Sequence, residues 1–348
     1  MDHFRISTRN GNSHVKPVIL RLILICFVIW SVTTTFSIAQ FDEANVLASS
    51  PDGSYYAISR VSEVQIFDSA NGQLVNTLSG IDNRGVWGGV LVITWSPDSS
   101  RLAIANGTTV EIWQNPWNPV TLQLVSTFSL HSTGINTISW RPDGMQIASA
   151  NAGSIYIWNP QNGNLIHQLP EAQLRVTHAM WSPDGQYFAD ASLRGVIAVW
   201  DATNWMYLDE YKVKYPGLSP PDNEPSINSI AWSPNSDRIA IASDDNLVRI
   251  LDRATLTVLV RSDLYTRHTS RIWHIDWQPN GALIASASWD QTVRVWDSNT
   301  GALIDTFNST LPLFSVNWSA DGTTLSYIDA LNQVENVTLN LDYDIRQD

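Results

Sequence analysis

His178, His274 and Asp276 are the residues of this chain best placed for acid–base chemistry, because each interrupts a recurring short stretch that is otherwise apolar or carries Ser, Thr or Asn. An imidazole and a carboxylate brought together can relay a proton or activate water, so a hydrolase is the enzymatic alternative. The rest of the inventory does not extend it. Five of the seven histidines follow residue 39 (His131, His167, His178, His268 and His274), and none has the i, i+4 spacing or the cysteine neighbour of a metal site. No nucleophile elbow, phosphate-binding loop or dinucleotide fingerprint occurs, so no catalytic residue, metal or cofactor is expected. Asp342, Asp344 and Asp348 lack the central glycine of a calcium loop and read as a solvated acidic tail.

The elements that must position these residues repeat. Sixteen tryptophans are many for 348 residues, as when one large side chain recurs in a repeated unit. Seven copies of one five-residue pattern begin at Ser49, Trp95, Trp140, Trp181, Trp232, Trp277 and Trp318, typified by Trp181-Ser-Pro-Asp-Gly185. Their spacings of 46, 45, 41, 51, 45 and 41 residues suit four short strands per unit. Proline, then Asp or Asn, then glycine makes a tight turn. An apolar strand such as Ile227–Trp232 precedes it, and a strand of small and β-branched residues such as Ile239–Ser243 follows. The expected fold is all-β: a seven-bladed β-propeller of four-stranded antiparallel blades over residues 40–348. Two segments compete to complete the seventh blade: Leu341–Ile345, which alternates apolar and polar residues, and Thr33–Ala39.

Residues 1–39 read as an export signal. Arg5, Arg9, Lys16 and Arg21 form a basic leader, Leu22–Trp30 an apolar core, and Ser37-Ile38-Ala39 a signal-peptidase site, which would leave Gln40 first. An uncleaved membrane anchor is the alternative, and it would retain residues 33–39 for closure. The expected location is therefore periplasmic or extracellular, or anchored with the propeller outside. Cys26, the single cysteine, lies in the apolar run, so disulfides hold nothing after it. A net charge of −13 disfavours nucleic acid and anionic membrane as partners; membrane contact is expected only through the N-terminal segment.

The repeats resemble the WD-repeat family: Trp200-Asp201 and Trp296-Asp297 match its namesake dipeptide, and Trp158-Asn159 and Leu251-Asp252 come close. The resemblance covers residues 41–340, and exported Trp-Ser-Pro-Asp-Gly propellers resemble bacterial members. It implies a structural tetrad in blade six of His268, Ser288, Asp290 and Trp296. Blade five keeps Ser243 and Asp245 but has Leu251, blade four has Arg194 at the Asp position, and blade three has His131 and Trp158. It also implies that partners bind on the face of the interblade loops, which selects Trp87, Arg175, Arg271 and Trp289, with Leu193 and Asp244 as further ring members. Trp and Arg dominate interface hot spots. Trp117 and Trp205 fall on the opposite face, where exposure is expected, and the proline-rich stretch 213–225 falls on the loop face. The expected function is a non-enzymatic scaffold that binds a protein or peptide.

Overall fold

The computed structural model describes residues 47–60, 63–81, 92–169, 175–214, 224–262, 265–331 and 333–339. The export signal, both candidate closing segments and the Asp342–Asp348 tail lie outside them, as does most of the proline-rich stretch.

Six sheets of four antiparallel strands and a seventh with three described strands each run in simple sequence order. The first strands of successive blades touch in turn, which makes the sheets the blades of a seven-bladed β-propeller. The turn pattern acts as expected. Gly53 N donates to Ser50 O at 2.9 Å and Gly53 has φ +72°, and where serine replaces the glycine, Ser99 and Ser236 accept the same left-handed backbone.

The second strands of blades five and six lie between two neighbouring blades, and both of their faces are buried. That is why Arg238–Ser243 and Leu283–Ser288 consist largely of small and branched residues. The core is interblade: Ala148 and Ile157 of blade three pack in one cluster with Val176, Trp181 and Phe188 of blade four. The repeat tryptophan also satisfies backbone. Trp95, Trp140, Trp232 and Trp277 donate their indole N–H to Ala48 O (2.9 Å), Thr94 O (3.3 Å), Met180 O (3.4 Å) and Ala231 O (3.0 Å), each on the preceding blade's first strand. One side chain thus buries a large apolar surface and pairs a carbonyl on an otherwise open strand edge.

In blade six, Trp296 donates to Ser286 Oγ at 2.8 Å, Ser286 Oγ meets His268 Nε2 at 2.7 Å, and His268 Nδ1 meets Asp290 Oδ2 at 2.9 Å. The expected serine is therefore corrected from Ser288 to Ser286. Both lie on one face of the strand Leu283–Ser288, but Trp296 stands opposite Ile284, and its indole reaches one alternation along the strand rather than two. Ser288 instead donates to Arg271 O at 2.9 Å and accepts from Asp290 N at 3.1 Å, tying down the loop. Blade three repeats the link through His131, Ser149 and Trp158. Blade five substitutes for it: buried Arg249 donates to Ser243 Oγ at 3.1 Å and pairs with Asp245 through both nitrogens of its fork.

Candidate partner-binding site on the loop face

In blades three to seven the first strand starts on the loop face with a bulge at one residue. In blades three to five that residue is polar. Asn136 donates to Val176 O at 2.8 Å, Thr177 to Ile227 O at 2.8 Å and Asn228 to Ile272 O at 2.9 Å. In blades six and seven the bulge residues are Trp273 and Phe314, which cannot make that bond to a carbonyl in the same way.

These two aromatics gather around Trp289, which stands in the turn between the second and third strands of blade six. Trp273 and Trp289 have ring centroids 5.7 Å apart, Trp273 and Phe314 5.9 Å, and Trp289 and Phe314 6.3 Å. All three remain only half-buried. The Arg271 guanidinium lies 4.7 Å from the Trp289 ring centroid, and Trp289 N donates to Arg271 O at 3.1 Å. Arg271 Nε stands 3.9 Å from Asp244 Oδ1, which accepts Asn228 Nδ2 at 2.7 Å.

Of the four residues expected to bind a partner, the structure therefore brings Arg271 and Trp289 together. Arg175 is exposed on blade four, with its carbonyl accepting Leu193 N at 3.0 Å, and blade five stands between it and Arg271. Trp87 lies outside the described residues. Trp273 and Phe314 are the members that sequence reasoning missed. Their signal was readable: each stands four residues before a repeat tryptophan, where the three preceding blades carry Asn, Thr and Asn.

The acid–base candidates have backbone duties. Asp276 accepts Trp318 N at 2.8 Å and Trp277 N at 3.0 Å, one with each oxygen, and burial raises its pKa to about 6. His274 Nδ1 lies 2.9 Å from Val316 O, and burial lowers its pKa. Ser139 and Ser229 accept Trp181 N (3.3 Å) and Ile275 N (3.4 Å) in the same manner. Side chains of one blade thus cap the inner backbone edge of the next. His178, at the register position of His274 two blades away, is pushed down to about 3 by burial and by the charge of His274. Among the described residues no group of three or more His, Cys, Asp or Glu could hold a metal ion.

Trp117 and Trp205 are not the exposed residues expected on the opposite face. Trp117 stacks on Tyr55 at 5.2 Å and lies 6.1 Å from Trp95, while Trp205 packs edge-on to Trp181 and Phe188 and stacks on His167 at 5.4 Å. Each rises from a turn and fills the seam with the preceding blade.

The WD domain, G-beta repeat family matches residues 219–252 and 259–297, and a family described as Eukaryotic translation initiation factor eIF2A matches residues 73–207. The chain is similar to WD repeat-containing protein 1 of Gallus gallus, 38% identical over 25% of this chain and 14% of that protein. It is similar to Actin-interacting protein 1 of Drosophila melanogaster, 24% identical over 59% of this chain and 33% of that protein. Intraflagellar transport protein 122 homolog of Danio rerio is 23% identical over 55% of this chain and 14% of its own length. The chain thus spans a third or less of these relatives, all three of which are eukaryotic. The matched repeats, lying in a ring of seven blades, support a WD-repeat β-propeller family for this chain.

Proposed function

We propose that this chain is a non-enzymatic scaffold that captures a protein or peptide on the loop face at Arg271, Trp273, Trp289 and Phe314. The carrying observation is the three-ring cluster with its stacked guanidinium. Large, half-exposed aromatics and an arginine on a rigid frame are the composition of an interface hot spot, and they stand where the blade-to-blade bulge bond has been given up. The WD-repeat relatives support protein interaction as the general role, and the Drosophila relative is named for interacting with actin. Against the hydrolase stands the engagement of both Asp276 oxygens and of His274 Nδ1 by backbone. We further place the propeller outside the cytoplasmic membrane, on the basic leader, apolar run and Ser37-Ile38-Ala39 site.

Affinity capture with the full chain tests the scaffold reading. Trp289→Ala and the double change Trp273→Ala with Phe314→Ala should lose the captured partners, while Met206→Ala and Leu259→Ala, exposed on outer strands, should keep them. Equal capture by all variants would reject the loop face. An N-terminus at Gln40 in the mass spectrum of the exported protein is the expected result for location, and an intact Met1 would favour the anchor.

A further inference from the structure

We propose that the cluster around Arg271 recognises a peptide segment carrying one carboxylate beside an apolar or aromatic side chain. This inference rests on the loop-face reading and names the chemistry of its partner. The balance of donors and acceptors in the site carries it. The Arg271 guanidinium lies over the Trp289 ring, 4.7 Å from its centroid, and the arginine side chain is 42% exposed. Its terminal nitrogens donate to no other described residue, and the contact with Asp244 runs from Nε at 3.9 Å, beyond hydrogen-bond length. Trp289 Nε1 is buried and has no acceptor among the described residues. The nearest carboxylate oxygen, Asp244 Oδ1, already receives Asn228.

Donors are therefore in surplus, and a carboxylate is the side-chain group whose two oxygens match a guanidinium fork. The apolar neighbour follows from Trp273 and Phe314, whose half-buried rings flank the stack. The limit of one carboxylate follows from the chain's own net charge of −13, which repels an acidic run while the local cation still holds a single negative group.

Isothermal titration with three blocked hexapeptides tests this: one aspartate between leucine and phenylalanine, the same peptide with asparagine, and the same with lysine. The aspartate peptide should bind at least tenfold more tightly than the other two. Arg271→Met should abolish that preference, Arg271→Lys should restore only part of it because an ammonium lacks the fork, and Arg261→Met, an exposed cation on an outer strand, should leave it intact. The inference is overturned if the lysine peptide binds as well as the aspartate peptide, if Arg271→Met keeps the preference, or if none of the three binds at millimolar concentration. Partner capture that is lost with Trp289→Ala but indifferent to Arg271→Met would sink the carboxylate and leave the loop-face platform standing.

Discussion

Asp190 accepts the indole N–H of Trp200 at 2.6 Å, occupying in blade four the place that Ser286 holds against Trp296 in blade six. The carboxyl is fully buried and its other oxygen has no partner among the described residues. Burial pushes its pKa up to about 7, and Glu210 on the outer strand pushes the same way. The folded state thus holds a proton that the unfolded chain, with a carboxyl near 3.8, has released. The stability this gives is complete below about pH 3.8 and is lost as the pH rises towards 7, by at most about 1.4 kcal/mol per pH unit. Asp190→Asn keeps an acceptor for Trp200 without the charge, so its denaturation midpoint should fall less than that of the parent between pH 4 and pH 7. Parallel pH profiles would show that Asp190 is ionised in the fold.

Trp296→Ala should cost ~3–5 kcal/mol, because the side chain is 1% exposed and its removal leaves a cavity and takes one hydrogen bond from Ser286, which keeps His268. Trp289→Ala should cost about 1–2 kcal/mol, from lost ring and cation contacts at a partly open site. Chemical denaturation of the two variants reads the difference, and equal midpoints would contradict the assignment of Trp296 to the core.

Trp205→Ala should destabilise by ~2–4 kcal/mol, contrary to what a surface tryptophan would do, since it fills the seam against Trp181, Phe188 and His167. A thermal midpoint within a degree of the parent would refute the packing.

Asp276→Ala should cost about 1–3 kcal/mol by stranding the Trp318 and Trp277 N–H groups, and Asp276→Asn should recover part of it through one carbonyl oxygen. If alanine is as stable as asparagine, water serves those groups as well and the capping role falls.

The blades were legible because their signals are local: Pro-Asp-Gly dictates a turn wherever it stands, and a tryptophan before it needs only the next blade to be covered. The site was legible in part for the same reason, since Arg271 and Trp289 are fixed by their distance from a turn. What stayed hidden depends on register or on what a neighbour lacks. Ser286 and Ser288 differ by one strand alternation. Arg249 and Asp190 take up positions that histidine or serine hold elsewhere, and only the packed structure shows the exchange. Trp273 and Phe314 were assigned no role because a bulge residue's direction emerges from pairing, while Trp205 turns inward through a left-handed backbone with φ 60°.

The capping of inner strands runs one way around the ring, and this gives the molecule a direction. The upstream blade lends acceptor side chains such as Ser229 and Asp276, and the downstream blade returns an indole N–H. The two ends of a shortened ring are therefore unlike. Cutting before blade six strands the Ile275 amide and the Trp277 indole N–H on the new leading edge, whereas cutting after it strands the Asp276 carboxylate on the trailing one. A fragment would recruit a donor-rich edge at one end and an acceptor-rich edge at the other, so excised blades should associate head to tail and not back to back.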